Sequence, residues 1–261
     1  VSASPTPFPT SPAASPSPTP ACRQAGTWID FQYAGAAVAG NVPARIYLPP
    51  CYDNDSQRYP VAYFLHGKPY TEAQWAQLGL PELVDDSVGS GALPPMILVL
   101  ARQPEPLFSN SDGGEGSYET EFIEGLVAAV DGGFRTETAA EDRAVVGISR
   151  GGVWALEIAL RHPDQIGAVA ALSPALAVNY AREAYDPLHL AAAAPALPKR
   201  FLLAAGASDW ARQATEDLAE TIGLRGASPE LVVVPGDHSD PTWERLMPAV
   251  IDFLARALTP S

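Results

Sequence analysis

The chain has 261 residues, 47% apolar and 18% charged, enough apolar mass for a sizeable core and too much for a wholly disordered chain. With 16 Lys and Arg against 30 Asp and Glu, the formal net charge of −14 argues against a nucleic-acid partner and against attraction to anionic lipid, since both rest on basic patches. No apolar run reaches the roughly 18–20 residues that span a bilayer, so no transmembrane segment is expected.

Residues 1–21 are rich in Pro, Ser and Thr and have little to bury, so they are predicted to form a disordered tether outside the fold. A single folded domain is then expected over 22–261. The tail lacks the apolar stretch of a signal peptide, but tails of this kind often follow a cleaved export signal. The expected location is therefore secreted or extracytoplasmic, with the tail as a surface stalk. Cys22 and Cys51 flank strand-like segments. A disulfide between them would close the N-terminal segment onto the core and contribute roughly 3–4 kcal/mol on a chain-entropy model. No C-x-x-C pair or His cluster suggests a metal. Asn54-Asp55-Ser56 matches a glycosylation sequon.

Further along, short apolar runs alternate with helical patterns. Strands are predicted over Trp28–Tyr33 and Ala44–Leu48, the second stopped by Pro49-Pro50, then over Pro60–Leu65 and Met96–Ala101. Glu72–Asp86 reads as helix and loop by turns. Ser117 is placed to cap a helix through Val130. A strand over Ala144–Ile148 leads into a helix over Gly151–Arg161 that Pro163 ends. Strands follow over Gly167–Leu172 and Phe201–Ala205. The segment Pro174–Pro198 between them is a small Ala- and Pro-rich excursion. A helix from Asp209 or Trp210 to Ile222, a strand over Leu231–Val234 and a helix over Thr242–Leu258 complete the chain. This order implies an α/β fold with a mostly parallel central sheet, helices on both faces and no large lid domain.

Gly147-Ile148-Ser149-Arg150-Gly151 matches G-x-S-x-G between a strand and a helix, the setting of a nucleophile elbow. Ser149 is the candidate nucleophile. Of four histidines, His238 follows the last strand and should share the sheet's carboxyl end with Ser149, so it is the candidate base. His162 ends the helix that leaves the elbow and should point away, and His189 has no partner pattern. Asp209 follows a strand at the same end and is the candidate orienting acid. Asp237, as an immediate chain neighbour, is poorly placed to reach the imidazole. Glu216 and Asp217 belong on a solvated face. The order Ser149, Asp209, His238 is that of α/β-hydrolases. The expected oxyanion donors are the main-chain N–H groups of Arg150, directly after the nucleophile, and of Lys68, in the turn after Leu65-His66-Gly67. Their side chains either draw an anionic group to the site or point to solvent and nearby acids. His66 either shapes its turn or, with Trp210 and Trp243, contacts substrate.

With these pieces in place, the chain resembles the esterase D-like esterase family, which contains feruloyl and acetyl-xylan esterases, enterochelin esterases, formylglutathione hydrolases and mycolyltransferase antigens. The matching pieces are Arg45–Pro50, Tyr59–Val61, Leu65–Gly67, Tyr118–Thr120, Asp142-Arg143, Gly147–Gly152, Gly206–Asp209, Pro235–His238 and Trp243. They run in family order over nearly the whole fold. The resemblance implies an α/β-hydrolase with Ser149, His238 and Asp209 as nucleophile, base and acid, with Lys68 and Arg150 main-chain donors and with no cofactor. Two departures stand out: Arg150, where the family usually has a neutral residue, and Asp237 before the histidine in place of Gly. Export together with the resemblance points to feruloyl or acetyl esters on polysaccharide. An acyltransferase of the same fold and a non-catalytic binding module on a hydrolase scaffold are the rival expectations.

Overall fold

The computed structural model describes residues 25–54 and 56–258. The expected tether over 1–21 and Cys22 lie outside these residues. Strands β1 (Thr27–Ala34) and β2 (Asn41–Leu48) form an antiparallel hairpin. Then come β3 (Val61–Leu65), β4 (Ile97–Ala101), β5 (Arg143–Ile148), β6 (Ala168–Leu172), β7 (Arg200–Gly206) and β8 (Glu230–Val234). They join one eight-stranded sheet in the order β1-β2-β4-β3-β5-β6-β7-β8, with every pair from β4 to β8 parallel. The helices are α1 (Gln74–Gln77), α2 (Leu80–Ser90), α3 (Tyr118–Thr120), α4 (Ala128–Gly133), α5 (Arg150–Arg161), α6 (Pro187–Ala193), α7 (Arg212–Leu224) and α8 (Asp240–Ala257). This is the α/β-hydrolase architecture. Among the described residues no helix is long and apolar enough to cross a membrane.

The unbroken apolar runs of the central strands follow from burial on both faces. Along β3, Val61, Tyr63 and Leu65 enter one core with Val99, Val145, Val153 and Leu156. The alternate Ala62 and Phe64 enter the other with Leu98, Val146, Leu246 and Phe253. Helix α5 thus covers the first face and α8 the second.

Local chemistry adjusts several boundaries. Gly79, at φ +76, divides the predicted Glu72–Asp86 segment into α1 and α2. Ser117 caps α3 by accepting the Glu119 N–H at 3.1 Å, and the helix continues through a π-helical stretch, Glu121–Val127, into α4. The helix expected from Asp209 begins at Arg212, because the Asp209 carboxylate accepts the Ala211 N–H at 2.8 Å and holds the preceding residues in a turn. Pro174–Pro198 is the small excursion expected, a 3₁₀ turn (Leu176–Val178) followed by α6.

The passage from β5 into α5 depends on small residues. A Cβ on Gly151 would lie 2.4 Å from both the Leu65 and His66 carbonyl oxygens, and one on Gly147 would lie 2.2 Å from the Gly151 oxygen. These neighbours are backbone and cannot swing aside. Gly151→Ala is therefore expected to lower stability by about 3 kcal/mol through forced separation of β3 from α5, read as a shifted denaturant midpoint.

Candidate active site

Ser149 occupies the turn between β5 and α5 with φ 52 and ψ −113, a left-handed conformation that L side chains rarely adopt. The turn is held on both sides: the Ser149 N–H donates to the Leu172 carbonyl at 2.9 Å, and the Ser149 carbonyl accepts from Ala175 at 3.1 Å. The side chain then stands at the carboxyl end of the parallel strands, next to the loops that leave β7 and β8. His238 Nε2 lies 2.9 Å from Ser149 Oγ, and His238 Nδ1 lies 2.9 Å from Asp209 Oδ1. The three residues that the sequence singled out are thus brought together in one hydrogen-bonded run. Asp237 turns elsewhere and accepts from the Ser239 hydroxyl at 2.5 Å. Glu216 pairs with Arg212 and Asp217 with Gln213 along α7. His162 points away as expected, onto Glu119 at 2.5 Å.

Burial works against the Asp209 charge, but hydrogen bonds from His238, Ser173 and the Ala211 N–H outweigh it and hold the carboxyl below its usual range. Two indoles confine the imidazole. Trp210 lies over it with ring centroids 4.4 Å apart and a tilt of 32°. Trp243 meets it edge-on at 5.2 Å and donates its Nε1–H to Ser173 Oγ at 3.1 Å. The two candidate substrate contacts therefore differ. Trp210 is 48% exposed and presents a free aromatic surface, whereas Trp243 is buried and braces the base. Ser173, at φ 47 on the end of β6, serves both Asp209 and Trp243 and was not anticipated. Its signal was a serine at the end of a strand beside the elbow strand.

The third candidate substrate contact, His66, is not met. Its ring is 1% exposed and both nitrogens engage main chain. Nε2 accepts the Gln103 N–H at 3.2 Å, which leaves Nδ1 to donate to the Gly67 carbonyl at 3.0 Å. Burial pushes its pKa down to about 4. It shapes the turn after β3. In that turn the Gly67 N–H is taken by Gln74 Oε1 at 2.8 Å and so is not free to serve as an oxyanion donor. The Arg150 N–H opens α5, where the helix dipole adds a positive field.

Of the two cationic side chains, Lys68 meets Ser109 Oγ at 2.5 Å and Glu105 at 3.8 Å. Arg150 donates from Nε to the Phe108 carbonyl at 3.2 Å and from Nη1 to Asn179 Oδ1 at 2.9 Å, tying the loops after β4 and β6 to the elbow.

The chain that carries this arrangement also matches a family model. The family described as "Putative esterase" matches residues 35–254. The chain belongs to that family. A protein of Xylanibacter ruminicola named endo-1,4-beta-xylanase/feruloyl esterase is 31% identical over 132 residues, covering 48% of this chain and 18% of the relative. The chain thus spans less than a fifth of that relative's length. A solved ferulic acid esterase aligns with TM-score 0.78 at 20% identity, over 90% of this chain and 99% of that one. An S-formylglutathione hydrolase from Staphylococcus aureus aligns with TM-score 0.74 at 16% identity, over 89% and 100%. These two likenesses establish the shared fold.

Proposed function

We propose that this chain hydrolyses carboxylic esters through an acyl-enzyme on Ser149 and that its natural substrates are feruloyl or acetyl esters of polysaccharide. The observation that carries the mechanism is the continuous run from Asp209 through His238 to Ser149, 2.9 Å at each step. His238 Nε2 takes the hydroxyl proton as Ser149 Oγ attacks the ester carbonyl. Asp209 stabilises the imidazolium, and the N–H groups of Lys68 and Arg150 receive the oxyanion. The tetrahedral adduct collapses, the C–O bond to the alcohol breaks, and His238 returns the proton to the leaving oxygen. Water then repeats the sequence and releases the acid. The elbow favours this role because it holds the serine in a strained conformation that a merely structural turn would fill with glycine.

The polysaccharide reading draws support from the relative named as a xylanase and feruloyl esterase and from the exposed indole of Trp210 over the base, a surface suited to a flat phenolic acyl group. In this reading the protein works outside the cytoplasm as a catalytic domain over 22–261, with residues 1–21 as its tether and Cys22 paired to Cys51. An ester panel tests it: 4-nitrophenyl acetate, methyl ferulate, and acetylated and feruloylated xylo-oligosaccharides. The expected result is turnover of all classes, with kcat/KM for one oligosaccharide ester at least about 10-fold above its simple counterpart. Equal values would remove the polysaccharide from the reading, and failure on every ester would remove the mechanism.

A further inference from the structure

Beside the nucleophile, and separate from it, the structure holds an open cleft of about 590 Å³ between the tip of the β1–β2 hairpin and the loops after β3 and β4. Its lining includes Asn41, Lys68, Tyr70, Arg102, Glu105 and Phe108. Ser149, Asp209 and His238 are not among its walls, but the cleft touches their surroundings at three points. Lys68 lines the cleft and belongs to the turn after β3 that His66 and Gln74 shape. Tyr70 forms cleft wall while its ring meets Trp243 edge-on at 6.4 Å and its hydroxyl donates to Asp240 at 3.1 Å. Phe108 lines the cleft, and its carbonyl accepts from Arg150 beside the elbow. A ligand spanning both spaces would therefore be one molecule longer than a simple acyl ester.

The chemistry of the walls selects the class of ligand. Both cations are already matched: Lys68 faces Glu105 at 3.8 Å and Arg102 faces Glu72 at 3.1 Å. The cleft thus offers many hydrogen-bonding groups but little net charge, which suits a neutral polyhydroxylated chain better than a carboxylate or phosphate. Half-buried Tyr70 adds apolar surface for the C–H face of a sugar ring. The outer wall is also preformed. The fully buried Glu121 carboxylate, reaching across the fold, accepts the N–H groups of Ala37 at 2.7 Å and Val38 at 3.3 Å and fixes the hairpin tip. A rigid wall spares the ordering cost of closing a loop on the ligand.

We infer that this cleft is a subsite for unesterified sugar units of the polysaccharide, held beyond the ester bond that Ser149 attacks. The inference rests on the reading of the substrate as a polysaccharide ester. The test measures binding and turnover separately. Unesterified xylo-oligosaccharide is titrated calorimetrically into wild type and into Ala39→Trp, which fills the cleft from the exposed hairpin tip, and into Asn41→Ala, which removes an amide from its wall. Turnover of 4-nitrophenyl acetate is measured on all three. The expected result is oligosaccharide binding by wild type, weakening by about 10-fold or more in Ala39→Trp and less in Asn41→Ala, with aryl-ester turnover unchanged in both. Ester turnover with no oligosaccharide binding by wild type, or binding untouched by either variant, would overturn the subsite and leave the esterase reading standing. Binding with the expected losses but no ester turnover would overturn the esterase reading and leave the cleft as a sugar site.

Discussion

Ser149→Ala is expected to lower kcat for 4-nitrophenyl acetate by about 10⁵-fold while the protein still unfolds in one cooperative transition. The hydroxyl lies 2.9 Å from His238 Nε2 and is the attacking atom of the proposed mechanism, so its removal leaves only binding and the oxyanion donors to speed attack by water. The elbow supplies a second reading of the same position. At φ 52 and ψ −113 the serine backbone is strained by an amount on the order of 1–3 kcal/mol, and glycine relieves that strain. The greater freedom of glycine in the unfolded chain offsets part of the relief, about 0.5–1 kcal/mol. Ser149→Gly should thus be as inactive as the alanine variant yet more stable than wild type by about 1 kcal/mol, measured as a higher denaturant midpoint. Activity within about tenfold of wild type in either variant would remove Ser149 as the nucleophile.

The parts of this site that could be read from the sequence are those where one local pattern does one job. Gly147 and Gly151 mark the elbow because backbone approaches within 2.4 Å of where their Cβ atoms would sit, and such a demand leaves a glycine in the chain. Asp209 and His238 were reachable because each follows an apolar strand, and parallel strands deliver their carboxyl ends to one edge. The start of α7 was misplaced because Asp209 looks like a helix cap by its type. It does accept a nearby N–H, but from a turn residue, with the same oxygen committed to His238. The roles of the aromatic rings were hidden for another reason. Trp210 and Trp243 both flank the base, and only the packing of α8 against the sheet decides that one is buried and the other half exposed. Glu121 shows the limit most clearly. It reads as a helix residue near a positive end, yet it grips a hairpin tip 84 residues earlier in the chain. Contacts between loops at such separations follow no period and carry no motif, so the cleft they build could not be foreseen.

Asp209→Asn is expected to lower kcat for the same aryl ester by about 10³-fold, less than the serine variants, with Asp209→Ala lower still by about another tenfold. Two donors converge on Asp209 Oδ1, the Ala211 N–H at 2.8 Å and His238 Nδ1 at 2.9 Å. An asparagine keeps both partners only by placing its carbonyl oxygen there and its amide nitrogen toward Ser173. The imidazole then retains the tautomer that leaves Nε2 free to accept from Ser149, and what is lost is the negative charge. A unit charge about 4 Å from the developing imidazolium, at an effective dielectric near 20, is worth about 4 kcal/mol, which is about 10³ in rate. The same charge also links folding to pH. The folded state holds the Asp209 carboxyl below its usual range, so its contribution to stability is fully present above the unfolded value of about 3.9 and is lost as pH falls through the lower folded value. Asparagine does not titrate. The stability gap between wild type and Asp209→Asn should therefore be widest near neutral pH and narrow on acidification below about pH 4. Denaturant midpoints for the two proteins across pH 7 to pH 3 provide the measurement, and a gap that widened toward acid would show that His238 and Ala211 do not hold Asp209 as an anion.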